Sequence, residues 1–264
     1  MKKFWRSVWV ITFRELTRVI QDKTRMISSF TMPLLFLVIF GAGFNRLISL
    51  PQIPGSEPID FLQFMYPGII GQTVLMTSIM SGLSIVWDRE FGFLREVLVA
   101  PLSRSGIVAG KALGTAVMAI LQGIIMLALA PLIGVELNLK IVLLLVPLLL
   151  LLSLSLSGLG LFIGSRMRSQ QGFQMIVQLI IFPLIFLSGV FFPLTNVPGW
   201  MAFLSKINPV SYGIDAIRQL FLGNSLFAIT VLGHTMSMLE SALVVAVFGL
   251  IFMSLAVWAF NRQE

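Results

Sequence analysis

Apolar residues fall in long blocks separated by short polar stretches. The blocks cover 28–48, 65–87, 107–133, 141–163, 173–192 and 238–260. Each supplies the roughly 20 mostly apolar residues that a helix needs to cross the hydrocarbon core of a bilayer. The pattern predicts an all-α integral membrane protein, with six transmembrane helices in a single domain, 1–264. Residues 1–26 follow a different rhythm. Lys3, Ser7, Arg14, Arg18, Gln21 and Arg25 share one helical face, and Trp5, Val8, Trp9, Thr12, Leu16, Val19 and Ile20 share the other. A basic face opposite a Trp-rich face predicts an interfacial helix in the headgroup layer. A helix packed on the protein itself is the alternative.

Two polar interruptions stand out. Between the second and third blocks the chain reads Asp88-Arg89-Glu90-Phe91-Gly92-Phe93-Leu94-Arg95-Glu96, followed by Pro101 and Arg104. Trp87, Phe91, Leu94 and Leu98 recur at helical spacing, which predicts a short amphipathic helix within 88–104. Asp88 is placed to cap it and Pro101 to stop it. One face is apolar and the other carries both signs of charge, a combination that suits docking into a groove on a soluble partner. A loop kept only to hold orientation would need Lys and Arg alone. The second interruption is 193–224. Pro193, Pro198 and Pro209 break any continuous helix, yet Trp200, Phe203, Leu204 and Ile207 form an apolar stripe. Ser211 is a candidate cap for a second short helix ending near Gly223. The stretch is too apolar for a free loop and too broken for a span, so it predicts re-entrant helices sheltered by protein at the outer leaflet.

Charge then orients the chain. Hydrophobic residues make up 57% and charged residues only 11%, less than half the charge of an average soluble domain. The net charge of +7 comes from basic residues that bracket apolar runs, which reads as topology and excludes nucleic-acid binding. Lys and Arg concentrate in the N-terminal stretch, the 88–104 insert, Arg166, Arg168 and Arg262. By the positive-inside rule both termini and the insert are cytoplasmic.

The chemistry available is limited. There is no Cys, and His234, expected at the surface, is the sole His, so disulfides, thiolate metal sites and His clusters are excluded and no metal or cofactor is expected on this chain. A membrane-embedded enzyme lacks a nucleophile–base pair. Gly110-Lys111-Ala112 does not make a phosphate-binding loop, which needs G-x-x-x-x-G-K-[ST]. Lys111 is expected to snorkel from the end of the third span. No acid lies securely at a span centre, which weakens proton-coupled transport. Gln72, Thr73, Thr77, Ser78, Gln122, Gln174 and Gln178 are candidates to line a pathway, with helix–helix hydrogen bonding as the alternative. Asp215 and Arg218, three apart on a helix, are placed to pair.

The insert resembles a motif of the permease subunits of type-2 ATP-binding-cassette (ABC) exporters, D-R-E-x-G-x-L-E followed by P-x-x-R. Asp88, Arg89, Glu90, Gly92, Leu94, Pro101 and Arg104 fall at its positions, while Phe93 replaces a small hydroxyl residue and the acid is displaced to Glu96. Ser188-Gly189-Val190-Phe191-Phe192-Pro193, Val197-Pro198-Gly199-Trp200, Asn208-Pro209-Val210-Ser211-Tyr212 and Asp215-Ala216-Ile217-Arg218 resemble the signature before the last span. The resemblance implies that 88–104 is a coupling helix, with Glu96 among its contact residues. It implies an outer gate built from Gly189, Pro193, Pro198, Asn208, Pro209, Asp215 and Arg218. It further implies a bacterial plasma-membrane exporter of two permeases, as a homo- or heterodimer, with two separate ATPase subunits that hold ATP and Mg. The expected cargo is an amphipathic drug, lipid or hydrophobic metabolite. A lipid-linked polysaccharide is the alternative cargo, though Tyr66 and Tyr212 are the only tyrosines. A non-transporting assembly or anchor subunit is the alternative from another class.

Overall fold

The structure, a computed structural model, describes residues 2–21, 23–44, 59–93, 96, 99–135, 137–223, 227–231 and 233–262. In chain order the helices are α1 (Lys2–Gln21), α2 (Lys23–Phe44), α3 (Phe61–Glu90), α4 (Arg104–Leu127), α5 (Leu139–Arg166), α6 (Gln170–Phe186), α7 (Gly199–Ile207), α8 (Pro209–Leu222) and α9 (Met238–Asn261). Two-residue strands β1 (Thr230–Val231) and β2 (His234–Thr235) pair antiparallel just before α9. Among the described residues α3, α4, α5 and α9 are long and apolar enough to cross a membrane, and α6 is a shorter apolar helix.

Helix starts follow local chemistry. The side chains of Ser103, Asn138, Ser169, Asn208 and Ser237 accept hydrogen bonds from the exposed N–H groups of α4, α5, α6, α8 and α9. Asn208, with Pro209 at the first helical position, therefore caps α8 in place of the expected Ser211. Ser211 lies inside that helix and donates to the Leu187 carbonyl. Two expected spans end early. The third stops at Leu127, where a 3-10 turn containing Pro131 takes over. The fifth stops at Phe186, and Gly189 turns the chain at φ +76°. Of the first expected span, residues 45–48 lie outside the described residues.

Helix α3 is the centre of the bundle. Phe64, Met65, Tyr66, Ile69 and Ile70 are sealed from solvent, and Tyr66 donates to the Met126 carbonyl of α4. By contrast α5 and α9 leave Leu139, Leu143, Leu243, Val247 and Leu250 exposed, as helices that face lipid do. Helix α3 is interrupted by a 3-10 turn at Met80–Gly82. There α3 and α5 touch backbone to backbone: a Cβ on Gly160 would sit 2.3 Å from the Ile79 carbonyl oxygen, and one on Gly82 would sit 2.0 Å from that of Gly160. Small residues permit this approach between apolar helices, where dispersion contacts supply much of the association energy.

Helix α1 takes the alternative disposition, a helix packed on the protein. It packs along α4 through Ser7, Val8, Ile11 and Glu15, set against Gly106, Gly110 and Gly114. Trp5, Trp9, Phe13 and Ile20 point away from the protein. The buried face thus mixes Val8 and Ile11 with Ser7 and Glu15, and the glycine ridge of α4 admits their close approach. The outward face keeps the Trp-rich character that suits a headgroup layer.

Replacing Gly160 with Ala should force α3 and α5 apart and cost about 1–3 kcal/mol. Thermal unfolding followed by tryptophan fluorescence checks this, with Gly199→Ala, whose added methyl meets nothing within 4 Å, expected to leave the midpoint unchanged.

Candidate functional site

The ends of α3 and α5 and the starts of α4 and α6 meet at one end of the bundle, beside α1. Here the structure sorts the expected coupling residues into two groups. Asp88 is buried within α3 and does not cap a new helix. Helix α3 runs on through Glu90, and Gly92, at φ +77°, turns the chain afterwards. Helical residues resume at Phe93, Glu96 and Val99, where the Ala100 N–H donates to the Glu96 carbonyl at 3.1 Å. The insert's own helix therefore begins after Gly92, not at Asp88, because a left-handed residue ends one helix before the next can start. Leu94, with Arg95, Val97 and Leu98, lies outside the described residues.

Asp88, Arg89 and Arg104 fasten the insert to the bundle. Asp88 takes Arg14 of α1 at 2.5 Å and Lys111 of α4 at 2.7 Å. Arg89 donates to the carbonyls of Met167 and Ser165 at the α5–α6 turn. Arg104 donates to the Asn261 carbonyl at the end of α9, at 2.6 Å. Glu90, Phe91, Glu96, Val99 and Pro101 face outward. Arg14 lies 4.3 Å over the Phe93 ring and Arg18 lies 4.5 Å over the Trp87 ring, so α1 also grips the insert and the end of α3 through cation–π contacts.

Lys111 is the centre of this end. Its expected role as a snorkelling residue is wrong: its side chain is 1% exposed and donates to Glu15 at 2.8 Å, Ser84 at 2.8 Å and Asp88 at 2.7 Å. An ammonium has three donors, and all three are used. With Arg14 the cluster holds two cations and two anions. Glu15 and Ser84 carried no signal that singled them out. The clue available was that the chain has only 11 acids, and one of them falls on the face of α1 that also carries Ser7 and Ile11.

A cavity of about 700 Å³ opens beside the cluster, bounded by α1, α2, α3, α4 and α6. Glu15, Ser84 and Trp87 lie at one end, and Phe191 and Phe192, next to Gly189, at the other. Of the expected pathway residues, Gln72, Thr73, Thr77 and Gln122 line it. Ser78 instead bonds Ser153 inside the bundle at 2.8 Å, and Gln174 and Gln178 sit on an exposed face of α6.

The far end gathers most of the expected outer residues. Asn208 donates to the Leu184 carbonyl at 2.8 Å, and Arg218 to the Gly189 carbonyl at 2.6 Å. The buried guanidinium stacks 4.1 Å over Phe64. Asp215 does not pair with Arg218. It accepts from Ser241, Gln219 and the Ile229 N–H, because α8 turns the two side chains toward different neighbours. Pro193 and Pro198 flank the 3-10 turn Leu194–Asn196, and Pro198 precedes α7. His234 is exposed and pairs with Glu240 at 3.1 Å. Among the described residues no group of three His, Cys, Asp or Glu is placed to hold a metal ion.

Of the two short helices expected to be sheltered, α8 is buried, but α7 leaves its stripe of Trp200, Phe203, Leu204 and Ile207 exposed, since little packs on it besides Ser205. A multi-pass bundle with an anchored, outward-facing insert at one end and these short helices at the other is the architecture of a membrane permease. Residues 6–222 match the ABC-2 type transporter family, and the chain belongs to it. It is therefore the membrane subunit of an ABC transporter. It is similar to the transport permease ycf38 of Cyanophora paradoxa, with 28% identity covering 84% of this chain and 76% of the relative. It is 27% identical to the daunorubicin resistance ABC transporter permease protein DrrB1 of Streptomyces coeruleorubidus, over 77% of this chain and 70% of that one. The inner membrane transport permease YadH of Escherichia coli is 25% identical over 84% of this chain and 86% of its own.

Breaking the cluster should cost far more than replacing it. Lys111→Met leaves Asp88 and Glu15 buried with too little compensation, an expected loss of about 3–5 kcal/mol. Adding Asp88→Asn and Glu15→Gln to Lys111→Met should recover most of that loss. Thermal unfolding of the single and triple variants in detergent measures the difference.

Proposed function

We propose that this chain is one of two permease subunits of an ATP-driven exporter in a bacterial plasma membrane. A separate ATPase subunit, two per complex, holds ATP and Mg. In this reading α2 and α6 join α3, α4, α5 and α9 as six spans, and both termini and the insert are cytoplasmic. The observation that carries the proposal is that Glu15 and Ser84 both line the cavity and both bind Lys111, to which Asp88 ties the insert. A push on the insert is then a push on the cavity wall.

The outward residues Glu90, Phe91, Glu96 and Val99 offer apolar adhesion with two carboxylates for register. A groove between α1 and the turn after α3, lined by Phe13, Arg14, Thr17 and Phe91 among others, adjoins them. Closure of the ATPases moves the insert, and the body anchored to it shifts the cavity from inward to outward access. The helices α7 and α8, held to the 184–189 turn by Asn208, Ser211 and Arg218, yield at the outer side. The cavity volume lies in the range of small-molecule sites. Its wall of Phe36, Met76, Met80, Met118, Phe182 and Phe186 suits an amphipathic drug, lipid or hydrophobic metabolite, because methionine adapts to irregular apolar shapes. A relative named for daunorubicin resistance points the same way. A polysaccharide path would call for more polar lining than Gln72, Gln122 and a few hydroxyls supply among these apolar side chains.

Affinity capture of the full chain should retain a Walker-motif ATPase at stoichiometric yield. Glu90→Lys with Glu96→Lys should reduce that retention at least tenfold without lowering the unfolding midpoint. Unchanged retention and unchanged ATP hydrolysis in the double variant would contradict the docking role of the insert.

A further inference from the structure

The hydroxyls around the cavity have already spent their hydrogens. Thr73 donates to the Ile69 carbonyl at 2.9 Å, Thr77 to Gln122 Oε1 at 2.6 Å, and Thr115 to the Lys111 carbonyl at 2.9 Å. Ser81 and Ser84 donate to the carbonyls of Ser157 and Ser81. A hydroxyl that has donated retains only lone pairs, so these five side chains meet a ligand as acceptors.

Gln72 stands apart. It lines the same cavity, its side chain is nine-tenths buried, and its Oε1 has no hydrogen-bond partner. A buried acceptor left unmet is costly, and nearly all such groups find a donor. The last torsion of a glutamine is broad and roughly two-fold, so the oxygen turns into the cavity when a donor arrives there. Thr73 and Thr77 beside it can only accept, and the other side-chain N–H groups of the lining belong to Arg18, Trp87 and Gln122.

We infer that Gln72 is a specificity residue, and that the cavity selects amphipathic molecules carrying an O–H or N–H over equally apolar molecules that lack one. The inference rests on the cavity being the cargo site. The apolar wall supplies affinity for any molecule of suitable size. Gln72, with the lone pairs of Thr73 and Thr77 beside it, supplies discrimination, since a cargo without a donor leaves the buried oxygen unmet.

The test uses a matched pair of probes, 4-(pyren-1-yl)butan-1-ol and its methyl ether, on the full chain in lipid nanodiscs. Energy transfer from tryptophan to pyrene reports occupancy, scaled to the membrane concentration of each probe. The alcohol should saturate at roughly one-tenth the concentration of the ether. Gln72→Leu should bring the two within twofold by weakening the alcohol, with Gln72→Met as the substitute if the Leu variant does not fold. Gln72→Glu, which keeps an oxygen acceptor, should preserve the preference. Equal saturable binding in the unsubstituted protein, or an undiminished preference in Gln72→Leu, overturns the inference and leaves the cargo site standing. Absence of saturable binding by either probe shows that the cavity is not the cargo site and overturns both.

Discussion

A lysine ammonium enclosed by protein must be neutralised or it does not stay charged, and the bundle is built around meeting that demand at Lys111. A lone charge moved from water into a low-dielectric interior costs several kcal/mol even after relaxation. Lys111 meets this with Asp88, Glu15 and Ser84, which come from α1 and from the last turns of α3. The three helices must therefore keep their register to within hydrogen-bonding distance. The glycine ridge Gly106, Gly110 and Gly114 makes this possible, because it lets α1 approach α4 closely enough for Glu15 to reach the ammonium. A buried ion cluster adds little net stability compared with apolar packing. Its value here is positional: it fixes where the insert is attached.

The same cluster forms part of the cavity wall. Glu15 and Ser84 contact the cavity on one side and Lys111 on the other, so the anchor of the insert and the cavity wall share atoms. Interfaces of this kind pass displacement on because packed interiors resist compression. At the opposite end α8 is fixed differently, by side-chain donors reaching the carbonyls of Leu184, Leu187 and Gly189. Those bonds are each neutral or singly charged, unlike the paired ions around Lys111.

Much of the fold was legible in the apolar blocks. The blocks at 65–87, 141–163 and 238–260 correspond closely to α3, α5 and α9, since a spanning helix must be apolar along nearly its whole length. The breaks at Pro193, Pro198 and Pro209 likewise foretold two short helices. Other features were hidden because they depend on which face of a helix meets which neighbour. Lys111 looks like a snorkelling residue until α1 is found packed over it. Asp88 looks like a cap until α3 proves to continue past it. Asp215 and Arg218 have the spacing of an ion pair, yet Ser241 and Gly189, distant in sequence, claim them separately. Of the expected pathway residues, Gln72, Thr73, Thr77 and Gln122 line the cavity, while Gln174 and Gln178 face outward. Side-chain type alone does not distinguish a buried amide from a peripheral one.

In the proposed mechanism Lys111 makes α1, the end of α3 and α4 a single moving body. The chain has no cysteine, so spin labels attach only where cysteines are introduced, for example at the exposed positions Val10 on α1 and Val117 on α4. The inter-label distance, measured by pulsed electron paramagnetic resonance in the complex with the proposed ATPase, should be one narrow distribution that does not change on ATP binding. Asp88→Asn should broaden it. A distance that shifts with nucleotide in the unsubstituted chain, or that stays equally narrow in Asp88→Asn, would contradict the claim.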